Sequence, residues 1–142
     1  MVSWMSRVFL STGEFTVTRN YSVLLAEPNP MLREKMAGIL TRSSTFWCVI
    51  QVQGRGNLAR AAAQAQPDFV VADLLLIKDP ELIEFLRQTS VDSRIVALVD
   101  AKLGFYKKAI RELGVDGVIE RGRAVEDLNA MIVAEGAGET RG

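Results

Sequence analysis

No histidine occurs anywhere in the 142 residues, which removes His-ligated metal centres and Ser-His or Cys-His nucleophilic catalysis from consideration. A single cysteine, Cys48, leaves no internal disulfide. Set in the apolar run Trp47-Cys48-Val49-Ile50, it reads as a buried, inert thiol without a role. Neither sign of charge is in excess, 17 Lys and Arg against 17 Asp and Glu, so no net field draws the chain to nucleic acid or to an anionic membrane. No apolar run approaches the roughly 20 residues of a membrane span, and the N-terminal stretch has no signal-peptide pattern, which makes the cytoplasm the expected compartment. What remains is ordinary globular text: 49% hydrophobic and 24% charged residues, in a length that suits one domain.

Residues 1–20 are Ser- and Thr-rich with scattered aromatics and read as an N-terminal extension, either disordered or a short hairpin turning at Ser11-Thr12-Gly13-Glu14. From Tyr21 the pattern changes. Short β-branched or Leu-rich runs at 22–26, 47–52, 69–76, 94–99 and 117–119 alternate with segments whose apolar residues recur at three and four positions. That alternation predicts βα units and a doubly wound, five-stranded parallel α/β sheet over 21–135, flavodoxin-like in architecture, with 136–142 as a flexible Gly-rich tail. Phe69-Val70-Val71-Ala72 and Ile95-Val96-Ala97-Leu98-Val99 are apolar throughout, as strands covered on both faces must be.

Helix signals punctuate the same stretch. Asn29-Pro30 and Asp79-Pro80 each place a capping side chain before a proline at the first helical position. Leu32, Met36, Ile39 and Leu40 predict the buried face of the first helix, and Leu82, Phe85 and Leu86 that of the third. Asn57 is expected to cap the second helix, with Leu58, Ala61, Ala62 and Ala65 inward and Pro67 beyond its end. Tyr106, Ala109, Ile110 and Leu113 form a fourth stripe closed by Gly114, and Val125, Leu128, Met131 and Ile132 a fifth. Gly54-Arg55-Gly56 lacks the spacing and lysine of a phosphate loop and reads as a turn.

In doubly wound sheets ligands gather beyond the carboxyl ends of the strands, where this chain places Glu27, Asp73, Asp100 and Arg121. A carboxylate closing an apolar strand is costly to desolvate without a donor or cation, so Asp73 either caps the following loop or pairs with a cation, for which Arg121 is the candidate.

Leu24-Leu25-Ala26-Glu27-Pro28-Asn29-Pro30-Met31-Leu32-Arg33-Glu34, the run Pro67-Asp68-Phe69-Val70-Val71-Ala72-Asp73-Leu74, and Gly114-Val115-Asp116-Gly117-Val118-Ile119 resemble, in this order along the chain, three segments of the receiver domain of bacterial two-component response regulators. The resemblance implies a receiver fold, places Asp73 at the phospho-acceptor position, and makes Glu27 and Asp73 an acidic pocket for Mg²⁺. It also implies protein partners, a sensor kinase, a regulator or a second copy, met on a face that here carries Tyr106, Lys107, Arg111 and Glu112.

The departures from that pattern are chemical. Pro28 stands where the family has a direct metal ligand, so Mg²⁺ is expected to bind Glu27 and Asp73 weakly or not at all, and no other cofactor is implied. Val99 replaces the family's hydroxyl residue, Val118 its switching aromatic, and Arg121 its lysine. The expected function is an atypical, non-enzymatic receiver acting through protein contacts in signal transduction or transcription, independent of phosphorylation. The alternatives are a phosphorylatable receiver using Asp73 with Mg²⁺, and a small-molecule-binding flavodoxin-like domain anchored by Glu27, Asp73 and Arg121. With about ten residues after the fifth helix there is no room for a helix-turn-helix, so direct reading of DNA is not expected.

Overall fold

The computed structural model describes the backbone of residues 5–9 and 15–141 and the side chains of 20–46, 48–103 and 106–134. Two short strands, β1 (Met5–Phe9) and β2 (Phe15–Arg19), pair antiparallel with Met5 opposite Arg19 and Phe9 opposite Phe15. This hairpin forms a sheet of its own, ahead of the main body.

The main body alternates as expected. It comprises β3 (Tyr21–Ala26), α1 (Pro30–Arg42), β4 (Phe46–Val52), α2 (Arg55–Ala65), β5 (Phe69–Asp73), the one-turn α3 (Leu74–Ile77) and α4 (Pro80–Thr89). After these come β6 (Arg94–Val99), a 3-10 turn (Ala101–Tyr106), α5 (Lys107–Arg111), β7 (Gly117–Glu120), a second 3-10 turn (Arg121–Arg123) and α6 (Ala124–Arg141). The five strands β3 to β7 form one parallel sheet in the order β4-β3-β5-β6-β7.

The two-residue period of the strands divides the core into two layers. Leu24, Ala26, Val70, Ala72, Ile95, Ala97, Val99 and Val118 pack with α2, α4 and α5 through Leu58, Ala62, Leu82, Leu86 and Ile110. Val23, Leu25, Phe69, Val71, Val96, Leu98 and Ile119 pack with α1 and α6 through Met36, Ala37, Leu40 and Leu128. The central strands are therefore apolar on both faces, which is why their sequences do not alternate.

Local chemistry fixes the boundaries. Asn29 Oδ1 accepts from the N–H groups of Met31 and Leu32, and Asp79 Oδ1 from that of Glu81, so both Asx-Pro signals are real caps. Gly114, at φ 103°, ends the α5 region as expected. Two further aspartates tie strand starts together: Asp68 Oδ2 accepts from the Ser22 N–H and hydroxyl, and Asp116 Oδ2 from the Ile95 N–H and Arg87 Nη1.

Several sequence expectations are corrected. The third strand stops at Asp73, because the Asp73 carboxylate caps α3 and turns Leu74–Ile77 into helix. α2 begins after Gly54, one turn before Asn57, and Asn57 instead accepts from Arg60 Nη1. Leu32, Ile39, Phe85, Tyr106 and Leu113 are exposed, while Ala37 and Ile83 take inward positions not assigned to them. Cys48 lies half-buried on the edge strand rather than in the core.

Candidate functional site

Strand register assembles the site. The chain runs from β3 outward to β4 on one side, then crosses back over β3 to β5 on the other, so the order reverses between the carboxyl ends of β3 and β5. Ala26 is paired with Ala72, which sets the next residues, Glu27 and Asp73, side by side. Val99 is paired with Glu120, which sets Asp100 beside Arg121 at the ends of β6 and β7.

From β7 the Arg121 side chain reaches back across the sheet and contacts all three carboxylates. Its Nε and Nη2 donate to Glu27 Oε1 at 3.1 and 2.7 Å, Nη1 donates to Asp100 Oδ1 at 2.7 Å, and Nη2 also donates to Asp73 Oδ2. Side-chain exposure is 3% for Glu27, 12% for Asp73 and 16% for Arg121, against 54% for Asp100, so the Glu27 and Asp73 carboxylates are buried beneath a partly covered Arg121. Burial works to lower the Arg121 pKa, and is outweighed by its hydrogen bond to Glu27 and by the charges of Glu27, Asp73 and Asp100, leaving it above the ordinary arginine value.

The remaining carboxylate oxygens are used as well. Glu27 Oε2 accepts from the Asn29 N–H at 2.9 Å, and Asp73 Oδ1 from the Leu75 N–H at 2.8 Å. Arg33 Nη1 donates to the Glu27 carbonyl at 2.7 Å and steadies the β3–α1 turn. Both readings of Asp73 are thus realised, one oxygen as helix cap and the other as ion-pair partner.

The resemblance drawn above implies Mg²⁺ between Glu27 and Asp73, and the donor set does not suit it. All four oxygens of these two carboxylates already accept a hydrogen bond, and a divalent ion between them would lie against the guanidinium. Pro28, exposed beside Glu27, offers no side-chain oxygen.

The other positions singled out in the sequence fall in two places. Val99 and Val118 are buried in the same apolar layer, and neither side chain carries a hydroxyl or a ring. Tyr106, Arg111 and Glu112 are exposed around α5, Tyr106 at 57%, while Lys107 Nζ lies 3.4 Å from Glu120 Oε2. A cleft of about 290 Å³ over β7, between α5 and α6, lies next to them, lined in part by Lys107, Arg111 and Met131. Sequence reasoning puts Asp100 at the strand ends without a partner and gives Arg33 no role: the first joins the cluster through the β6–β7 register, and the second through a main-chain acceptor that carries no sequence signal. Among the described residues no helix is long and apolar enough to cross a membrane.

No family model matches the chain, and no curated protein does. Solved structures do. A two-component response regulator of the LuxR family from Aurantimonas sp. SI85-9A1 superposes with a TM-score of 0.65 at 20% identity, over 81% of this chain and 86% of that one. The isolated REC domain of RcsB from Salmonella enterica serovar Typhimurium gives 0.65 at 18% identity, over 84% and 90%. A chain from the structure of the P1 domain of CheA3 in complex with CheY6 from R. sphaeroides gives 0.66 at 22% identity, over 80% and 97%. Together with the β4-β3-β5-β6-β7 parallel sheet, these likenesses establish that the chain has the receiver-domain fold of two-component response regulators.

Proposed function

We propose that residues 21–135 form an atypical receiver that signals by protein contact, in the cytoplasm, without phosphorylation of Asp73. The observation that carries this reading is the Arg121 guanidinium bound to Glu27, Asp73 and Asp100 at once. Phosphoryl transfer to a carboxylate depends on positioning and on neutralising the incoming charge. Here the Asp73 oxygens are taken by Arg121 and the Leu75 N–H, and one guanidinium already offsets part of the negative charge of the acidic pocket from within.

A switch also needs a moving part. Val99 has no hydroxyl to bond a new phosphoryl oxygen, and Val118 is packed against the same apolar layer rather than poised to rotate. The reading is therefore of one retained conformation, non-enzymatic, that presents a constant surface to its partner. Support for a protein partner comes from the exposed Tyr106, Arg111 and Glu112 beside the cleft over β7, an aromatic and two charges of opposite sign. A signalling protein or a second copy of this chain suits that face.

The test is to incubate the purified chain with a small phosphodonor and millimolar Mg²⁺ and weigh it intact. The expected result is an unchanged mass. A phosphoryl adduct that disappears in Asp73→Asn would overturn the reading in favour of a phosphorylatable receiver.

A further inference from the structure

Over the C-terminal end of the edge strand β4 lies a cleft of about 500 Å³. Its lining includes Arg33, Gln51, Gln53, Asn57, Arg60 and Gln64. That is two guanidinium groups, four side-chain amides and no carboxylate, in a chain whose charges otherwise balance.

The fold builds this composition from three directions. Arg33 belongs to α1, which packs on one face of the sheet, and Arg60 to α2, which packs on the other, so the two cations flank the strand end. Asn57, Arg60 and Gln64 recur at three and four residues and share one face of α2. Gln51 near the end of β4 and Gln53 just past it, two residues apart, complete the lining.

Both arginines are held by neutral acceptors. Arg33 Nη1 donates to the Glu27 carbonyl at 2.7 Å, and Arg60 Nη1 to Asn57 Oδ1 at 3.2 Å. Neither meets a carboxylate among the described residues, in contrast to Arg55, Arg87 and Arg121, which all do. α2 starts from Gly54 with no side-chain cap and no acidic residue in its first turn, which adds to the positive potential.

We propose that this cleft binds a nucleoside monophosphate, with the phosphate between Arg33 and Arg60 and the base on the amides. The volume falls in the range of small-molecule sites, about 300–1,000 Å³. A guanidinium presents paired donors that match phosphate oxygens. An Asn or Gln amide sets a donor next to an acceptor, the pattern that a base edge returns. A bare inorganic anion would use the arginines and leave four amides without a purpose. The site is separate from the Glu27–Asp73–Arg121 cluster and does not depend on how that cluster functions; it touches it only through Arg33. No bond is made or broken there.

The experiment titrates the ¹⁵N-labelled full chain with the four ribonucleoside monophosphates, with adenosine and with inorganic phosphate. It follows the side-chain NH₂ signals of Gln51, Gln53, Asn57 and Gln64. At least one monophosphate should shift these signals saturably, and adenosine and phosphate should each bind at least about tenfold more weakly, a difference of about 1.4 kcal/mol. Arg60→Ala removes an exposed side chain and should weaken the monophosphate by about tenfold, with the rest of the backbone spectrum unchanged. The proposal is overturned if no monophosphate saturates, if phosphate alone binds as tightly, or if Arg60→Ala binds with the parent's affinity.

Discussion

Replacing Arg121 by methionine is the sharpest perturbation of the carboxylate cluster. It keeps much of the side chain's volume and removes its charge, leaving Glu27 and Asp73 adjacent, shielded from water, and without a cation. Their nearest oxygens contact the same guanidinium nitrogen in the parent, so once it is gone they face each other at short range. Two unit charges so placed repel by about 4 kcal/mol at an effective dielectric constant of 20. Breaking a buried ion pair from one side costs about 3 to 5 kcal/mol in general, and we expect a loss in that range here. The hydrogen bonds from the Asn29 and Leu75 N–H groups remain and keep the figure from rising further. With a urea m-value of about 2 kcal/mol/M, the unfolding midpoint should fall by about 1.5 to 2.5 M. The control is the same substitution in a Glu27→Gln, Asp73→Asn background, where no buried carboxylate is stranded and the cost should drop below about 1 kcal/mol. Equal losses in the two backgrounds, or an Arg121→Met chain as stable as the parent, would refute the electrostatic account of the cluster.

Three further outcomes follow from the same geometry. Asp73→Ala should cost about 1 to 3 kcal/mol in urea unfolding, less than Arg121→Met, because it loses the α3 cap and one ion contact while Arg121 keeps Glu27 and Asp100. Because the folded-state pKa of Arg121 is raised, its stabilisation is complete below the ordinary arginine pKa and is lost only in strong alkali; in Arg121→Lys it should instead decline as pH rises through and beyond about 10.4, read as urea midpoints from pH 7 upward. Gly114→Ala forces a left-handed φ of 103° on a residue with a Cβ and should lower thermal stability by about 1 to 2 kcal/mol, although Ile83 leaves room for the methyl.

Much of this architecture was legible in the sequence, for identifiable reasons. β5 and β6 announced themselves as central strands because two covered faces demand unbroken apolar text. α1 and α4 were legible from Asn29-Pro30 and Asp79-Pro80, where the capping side chain itself forms the boundary. The start of α2 is not legible, because its cap, Gly54, contributes no side-chain hydrogen bond, and Asn57 one turn later offers the stronger signal. The end of β5 is masked because Leu74-Leu75-Leu76 continues the apolar run, and only the Asp73 cap turns it into helix. The exposed Leu32, Phe85 and Tyr106 show that helical periodicity marks a face but not its width.

At the site, the same desolvation argument that asks for a partner to Asp73 picked out Arg121, and the two side chains do meet. What it missed was the number of partners. A two-body pair was expected, and Arg121 serves three carboxylates, so that Glu27 is the more deeply buried of them and Asp100 enters from the next strand. Neither fact is written in local spacing; both follow from the Ala26–Ala72 and Val99–Glu120 registers.

The central claim is that the guanidinium of Arg121 occupies the acidic pocket and keeps a divalent cation out. It is tested most directly by observing the Arg121 side-chain nitrogens by NMR while Mg²⁺ is added into the millimolar range. Restrained, separately resolved Nη signals that do not change with Mg²⁺ are predicted for the parent, with Mg²⁺ binding emerging only when Arg121→Lys is combined with Pro28→Asp. Collapse of the Arg121 signals on adding Mg²⁺ to the parent, with shifts at Glu27 and Asp73, would contradict the account.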